Sequence, residues 1–152
     1  MLIDSLFLFG TLKDKDLFEI VIGTNIKIFP AIAPGFSVWK VKNAVYPIMV
    51  KDDKGAADGF LLKNLTNEAI ARADFYEQLF DYYLEPIKVS SLNQTVSTFV
   101  YMPQNSIEAI QENWDLGEWQ TGSAKETYKF AKKVMSQYGF KSTEQLKSEL
   151  KF

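Results

Sequence analysis

The sequence predicts a single α+β domain, in which a small mixed or antiparallel, barrel-like sheet carries one inserted helix and is followed by C-terminal helices. Strand-like segments come first, one helical segment interrupts them, and further helical segments end the chain. This order does not alternate as the βαβ units of a parallel sheet do. The 152 residues, 47% of them hydrophobic, have the length and apolar content of one folded core.

The first 62 residues contain most of the predicted sheet. An apolar run at 5–9 is typical of a buried strand and ends at Gly10, which permits a close approach of the backbone to a ligand. A short helix is predicted at 17–22. Pro34-Gly35 then predicts a turn, and the polar segment 51–55 predicts a hairpin connection. The four strands around these two connections are predicted at 26–33, 36–41, 44–50 and 57–62.

The inserted helix comes next. Thr66 is a suitable N-cap for a helix over 67–76. Two strands joined by a turn follow at 82–90 and 96–102. Pro86 in the first of them predicts an exposed edge or a bulge, because proline donates no backbone hydrogen bond.

The pattern changes after residue 103 to an irregular, aromatic stretch followed by helices. A capping-box pattern at 123–126 predicts one amphipathic helix, and Ser142 opens a second, shorter one. We therefore expect one domain, with a core at 1–103 and a helical extension at 104–152. The continuous apolar face of the extension indicates that it covers the sheet rather than forming a lid over a pocket.

The chain contains neither histidine nor cysteine. Ser-His-Asp and Cys-His catalysis, thiol redox chemistry and zinc sites with nitrogen or sulfur ligands are therefore excluded. The absence of cysteine fits a reducing cytoplasm. The 17 basic and 19 acidic residues are mixed along the chain, so we expect no nucleic-acid partner. No apolar run approaches the ~20 residues that span a membrane, so we expect no membrane partner either.

Two features of the sequence suggest chemistry. The turn Phe9-Gly10-Thr11-Leu12 can present consecutive backbone N–H groups to a carboxylate or carbonyl oxygen, although an ordinary strand-ending turn has the same sequence. Glu77 lies at the end of the inserted helix, just before the aromatic stretch 80–83. Neighbouring rings would exclude water from its carboxyl group and raise its pKa into the range of proton transfer, whereas a solvated helix-end acid would have no such role.

Five short motifs follow one another over residues 5–102. They are the turn after the first strand, Leu8-Phe9-Gly10-Thr11-Leu12, then Pro34-Gly35-Phe36, Val45-Tyr46-Pro47, a strand with Gly59, and Asp74-Phe75-Tyr76-Glu77 with Tyr82-Tyr83 shortly after. In this order and approximate spacing the chain resembles the γ-glutamyl cyclotransferase-like (AIG2-like) proteins. It departs from them at Phe9, where the family usually has tyrosine, and at Leu84-Glu85, which replace a common arginine.

The resemblance implies the fold of that family and a small-molecule γ-glutamyl substrate. A γ-glutamyl amine or peptide would be converted into 5-oxoproline and a free amine, with no metal and no organic cofactor. Glu77 would be the general acid and base. Substrate contacts would come from Phe9, Gly10, Thr11, Leu12, Tyr46, Pro47 and Tyr83.

Two alternatives stay open. The missing hydroxyl group at Phe9 favours a non-catalytic module of the same fold that binds or senses a small ligand. The other alternative is a related deacylase that acts on a γ-glutamyl-decorated metabolite.

Overall fold

The computed structural model describes residues 2–150, and this part of the chain forms six strands and five α-helices. The elements in chain order are β1 (Leu6–Leu8), α1 (Lys15–Val21), β2 (Ile28–Val41), β3 (Pro47–Leu62), α2 (Asn67–Glu77), β4 (Tyr82–Ser91), β5 (Gln94–Pro103), β6 (Ala109–Asn113), α3 (Leu116–Gly122), α4 (Ala124–Met135) and α5 (Thr143–Leu150). Two 3₁₀ turns, Thr11–Lys13 and Gln78–Phe80, follow β1 and α2. No helix within residues 2–150 is both long and apolar enough to cross a membrane.

The sheet is antiparallel, with the strand order β1-β3-β2-β4-β5 and with β6 paired to β2. The two ends of the sheet approach one another: the hydroxyl oxygen of Ser5, just before β1, lies 2.7 Å from that of Thr98 in β5. Among the described strands, however, no ladder joins β1 to β5. The predicted α+β class is confirmed, and the sheet curls without closing into a barrel.

Two predicted connections in the first half are wrong. Pro34-Gly35 lies inside the long strand β2, and the polar segment 51–55 lies inside β3. The pairing register shifts between Pro34 and Phe36, and Gly35 has a φ of +81° that few other residues adopt. Residues typical of turns therefore form a β-bulge within one long hairpin, because both strands resume their pairing on either side of it.

Most other predictions for residues 2–103 are confirmed. The Thr66 hydroxyl accepts a hydrogen bond from the Ala69 N–H and caps α2. Leu92 and Asn93 have positive φ values in the turn between β4 and β5. Pro86 is exposed on β4 and lies outside the pairing described between β2 and β4, as its sequence position indicates.

The C-terminal part differs more from its prediction. Neither β6 nor α3 is expected from the irregular stretch that contains them. The capping box at 123–126 is wrong, because the Ser123 side chain caps nothing, although the predicted helix α4 is present. A capping box does occur at α5, where the Ser142 hydroxyl accepts from the Gln145 N–H and the Gln145 side chain accepts from the Ser142 N–H.

Asp14 attaches the C-terminal helices to the start of the chain. It is 5% exposed and accepts hydrogen bonds from the Leu17 N–H (2.9 Å), the Tyr128 hydroxyl (2.6 Å) and the Gln120 amide (2.8 Å). Burial acts to raise the pKa of Asp14, but these hydrogen bonds outweigh it and the pKa lies below its ordinary value. Because Asp14 directly follows the 3₁₀ turn Thr11–Lys13, it holds α3 and α4 beside that turn.

Candidate active site

A cavity of about 360 Å³ lies between the end of β1, the end of α2 and the C-terminal helices. Its volume falls in the range of small-molecule sites, about 300–1,000 Å³. The residues that line it are mostly apolar or aromatic: Phe7, Leu8, Phe9, Gly10, Thr11, Leu12, Val45, Tyr46, Pro47, Tyr76, Glu77, Phe80, Tyr82, Tyr101, Trp119, Glu126, Thr127 and Phe130.

The structure brings together nearly all of the residues that the sequence predicts for the site. Glu77, the turn 9–12, Tyr46 and Pro47 all line this cavity. Tyr83 does not; it pairs with Met102 in the sheet, and its neighbour Tyr82 faces the cavity instead. Successive side chains of a strand point to opposite faces, so only one of the two tyrosines can do so.

The turn after β1 is fixed by backbone hydrogen bonds and by close packing. The Gly10 carbonyl accepts from the Lys13 N–H and the Thr11 carbonyl accepts from the Asp14 N–H, both at 3.0 Å. The first N–H groups of such a turn have no partner within it. A Cβ atom on Gly10 would lie 3.0 Å from the Pro47 ring, so this position leaves little space for a larger residue.

β1 also packs closely against β3, at Gly59. A Cβ atom on Gly59 would lie 2.1 Å from the carbonyl oxygen of Leu8, which is closer than non-bonded atoms approach. Glycine at this position of β3 therefore lets β1 lie flat against it.

Glu77 is the last residue of α2, and its side chain is half-buried at the cavity wall. Burial, and to a lesser extent the charge of Asp74 one helical turn earlier, raises the pKa of Glu77 to about 8. A carboxyl group with this pKa can both accept and release a proton near neutral pH.

A second acidic residue stands beside Glu77 but is turned towards a tyrosine. The Tyr101 hydroxyl on β5 donates a hydrogen bond of 2.6 Å to Asp74 Oδ1. Burial raises the pKa of Asp74, and this hydrogen bond partly opposes the rise. Burial and the hydrogen bond to Asp74 also raise the pKa of Tyr101, so its hydroxyl stays protonated. Sequence reasoning missed Tyr101 because no local pattern links β5 to α2.

Aromatic rings form the wall between these polar groups. Phe80 packs against Tyr46, Tyr76 and Phe130, with ring centroids 5.4–6.1 Å apart. Tyr46 also meets Tyr82 edge-on at 6.2 Å. Among residues 2–150, the lining contains the acidic residues Glu77 and Glu126 but no lysine or arginine. The walls of the cavity are therefore mostly apolar, and two carboxyl groups are among the polar side chains that line it.

The C-terminal helices supply one wall of the cavity. Trp119 of α3 and Glu126, Thr127 and Phe130 of α4 all line it. The expectation that these helices only cover the sheet is therefore wrong, and the hydrogen bonds of Asp14 explain why they reach this position. The division of the chain at residue 103 stays a prediction, although β6 beyond it pairs with β2.

Comparison with known sequences identifies relatives along most of the chain. The family model for gamma-glutamyl cyclotransferase, AIG2-like, matches residues 6–121, a range that includes β6 and most of α3. AIG2-like protein B of Arabidopsis thaliana is 26% identical over 121 residues, which cover 76% of this chain and 69% of that protein. AIG2-like protein A of the same plant is 24% identical over 135 residues, which cover 86% and 81%.

Solved structures share the fold. A solution structure of an Arabidopsis thaliana protein aligns with a TM-score of 0.61 and 23% identity, covering 91% of this chain and 94% of that one. A structure named gamma-glutamyl cyclotransferase aligns with a TM-score of 0.60 and 12% identity, covering 85% and 86%. The match of the family model over residues 6–121 shows that the chain belongs to the gamma-glutamyl cyclotransferase, AIG2-like family.

Proposed function

We propose that the protein is a γ-glutamyl cyclotransferase, which converts a γ-glutamyl amine or peptide into 5-oxoproline and a free amine. The observation that carries this proposal is that Glu77 and the turn 9–12 line one cavity. Burial raises the pKa of this carboxyl group to about 8, and a substrate in the cavity would contact both it and a set of backbone N–H groups. We propose a cytoplasmic site of action, since the chain has no cysteine to protect or oxidise.

In this reaction the nucleophile belongs to the substrate. The α-amino nitrogen attacks the γ-carbonyl carbon, a new C–N bond closes the five-membered ring, and the original amide C–N bond breaks. The electron pair of that bond leaves with the departing nitrogen. Because ring closure is intramolecular, the protein needs only to hold the folded conformer of the substrate close to its attack geometry. A chain without histidine or cysteine can do this.

Glu77 is the proposed proton carrier. The α-ammonium group must lose one proton before it attacks and a second when its nitrogen becomes the ring amide. The departing nitrogen gains one proton as the C–N bond breaks, and the released amine takes up the second from solvent. Glu77 takes the first proton and delivers it to the leaving group, so the carboxylate is regenerated at the end of the cycle. Acid–base catalysis of this kind contributes about 10²–10⁴-fold to a rate.

The turn after β1 is the proposed site for the negative charge of the substrate. The N–H groups of Gly10, Thr11 and Leu12 can donate to the oxyanion that forms on the γ-carbonyl oxygen, or to the α-carboxylate. One well-placed oxyanion donor contributes about 3 kcal/mol. Tyr46 and Pro47 would hold the chain of the substrate against this turn, while Phe9 contributes ring surface but no hydroxyl group.

The main alternative is a binding module without turnover. Phe9 favours it, because the ring is 7% exposed at the cavity and has no polar atom for a ligand. A deacylase is the other alternative, in which water would attack the γ-carbonyl carbon and release glutamate rather than 5-oxoproline.

One experiment separates the three functions. The protein is incubated with a panel of γ-glutamyl dipeptides and γ-glutamyl amines, and 5-oxoproline, glutamate and free amine are measured by mass spectrometry. The cyclotransferase predicts 5-oxoproline and amine in equal amounts. Glutamate with the amine would indicate the deacylase, and binding without either product would indicate the module.

A further inference from the structure

We propose that the hydroxyl oxygen of Tyr101, oriented by Asp74, is a second acceptor for the α-ammonium group of the substrate and makes the cavity selective for ligands that carry this group. This inference rests on the proposed function, since it concerns the same site. It gives roles to two residues outside the set implied by the family resemblance. Tyr101 would touch the substrate, and Asp74 would be a positioning residue.

The Tyr101 hydroxyl group can donate its proton to only one partner. A tyrosine hydroxyl has a single proton to donate and also accepts hydrogen bonds. The proton of Tyr101 is committed to Asp74 Oδ1 at 2.6 Å, a short distance for such a bond. Tyr101 is 5% exposed and lines the cavity, so towards a ligand its oxygen can only accept. The ligand group beside it must therefore be a donor.

Two acidic side chains of α2 lie near the hydroxyl oxygen of Tyr101. Asp74 and Glu77 lie three residues apart on α2, so their side chains share one face of the helix. Within residues 2–150, no lysine or arginine forms an ion pair with either of them. A positively charged donor on the ligand would compensate this charge, whereas a hydroxyl or neutral amide would not.

Two acceptors would also fix the orientation of the ammonium group. An ammonium group has three N–H donors. Glu77 can accept one of them and Tyr101 another, which fixes the rotation of the group about its C–N bond. After Glu77 removes its proton, the bond to Tyr101 still holds the amine, so its lone pair stays directed at the carbonyl carbon. Such orientation is a large part of the advantage of an intramolecular reaction.

Asp74 has a separate task in this arrangement. Without a strong acceptor behind it, the Tyr101 hydroxyl could rotate and point its own proton at the ligand. It would then oppose an ammonium group instead of binding it. Replacing Asp74 should therefore weaken ammonium recognition without changing the wall of the cavity, which Asp74 does not line.

The test compares two ligands that differ only in the α-amino group, γ-glutamyl-alanine and glutaryl-alanine. Binding is measured by calorimetry and by NMR titration in the Glu77→Gln background, so that turnover does not interfere. We expect the parent to prefer γ-glutamyl-alanine. Adding Tyr101→Phe should reduce this preference about 10- to 100-fold and leave the affinity for glutaryl-alanine unchanged. Asp74→Asn should reduce the preference in the same direction, and the control Tyr138→Phe, a tyrosine outside the cavity lining, should not.

Equal losses for both ligands would mean that Tyr101 only shapes the pocket, and they would overturn the inference. A parent protein without preference for the α-amino ligand would overturn it as well. Asp74→Asn tests the same claim with the Tyr101 ring in place, should Tyr101→Phe fold poorly. Failure of the proposed function looks different: 5-oxoproline would be missing from every reaction while the preference for the α-amino ligand persisted.

Discussion

Glu77→Gln is predicted to change how the stability of the protein depends on pH. Burial raises the pKa of Glu77 from its ordinary value of 4.5 to about 8 in the folded protein. Between these two values the folded chain holds a proton that the unfolded chain has released. The free energy of unfolding therefore falls as pH rises through this range. Glutamine has nearly the same shape but no proton to lose, so the variant should lack this component of the pH dependence.

The size of the effect follows from the same two values. Between pH 4.5 and about 8, each pH unit corresponds to about 1.36 kcal/mol for one proton. The wild-type protein would thus lose at most about 5 kcal/mol relative to Glu77→Gln. The Glu77 side chain is only half-buried and reaches solvent through the cavity, and solvent weakens the effect of burial. The value of about 5 kcal/mol is therefore an upper limit. Even half of it is a large fraction of a typical folding free energy of about 5–15 kcal/mol.

Urea denaturation at a series of pH values measures this difference directly. The variant and the wild-type protein should be about equally stable near pH 4. Relative to the wild-type protein, the variant should become progressively more stable up to about pH 8, and this stability difference should then level off. The stability difference between Glu77→Gln and the wild-type protein should change more steeply with pH than the difference for Glu126→Gln, a matched change to an exposed carboxyl group at the same cavity. A difference that does not change with pH would refute the reasoning about the environment of Glu77.

Three further predictions concern the site and its supports. If Glu77 acts as the base, kcat/KM should rise with pH around a midpoint of about 8, and Asp74→Asn should move that midpoint to lower pH by removing a neighbouring charge. Gly59→Ala should cost about 3 kcal/mol of stability in urea denaturation, since its new methyl group would collide with the Leu8 carbonyl. Tyr128→Phe should cost about 2 kcal/mol, because the buried carboxylate that caps α1 would lose its 2.6 Å hydrogen bond.

Two control variants accompany the stability predictions. Gly122→Ala adds a methyl group where nothing beyond its chain neighbours and its own helix backbone lies within 4 Å, so it should not destabilise the protein as Gly59→Ala does. Tyr138→Phe keeps the ring contacts with Phe75 and Arg72 and should be less destabilising than Tyr128→Phe. Equal effects within either pair would contradict the contacts described. An unchanged pH midpoint in Asp74→Asn would contradict the role given to its charge.

The predictable part of the site is the part that lies in short, local motifs. Gly10 and Glu77 each have a sequence environment that indicates a role, and the structure brings both to one cavity. Tyr101 has no such environment, since only the position of β5 in the sheet brings it to Asp74. The choice between Tyr82 and Tyr83 also depends on the sheet, because a shift of one residue along a strand reverses the face that a side chain occupies.

The errors in the fold have a related cause. Pro34-Gly35 has the composition of a turn, yet β2 continues through it because β3 pairs with both of its halves. Local residue preferences indicate where a backbone can bend, and long-range pairing decides whether the bend ends a strand. Local patterns do not predict the wall formed by α3 and α4 for the same reason, since hydrogen bonds to Asp14, more than 100 residues earlier, position these helices.

The most direct measurement of the central claim compares binding and turnover in Glu77→Gln. The best substrate from the γ-glutamyl panel is given to the wild-type protein and to the variant, and 5-oxoproline is followed by mass spectrometry while affinity is measured by calorimetry. We predict that the variant binds the substrate but forms 5-oxoproline at least about 10²-fold more slowly. Undiminished 5-oxoproline formation by Glu77→Gln would show that this carboxyl group does not carry the proton.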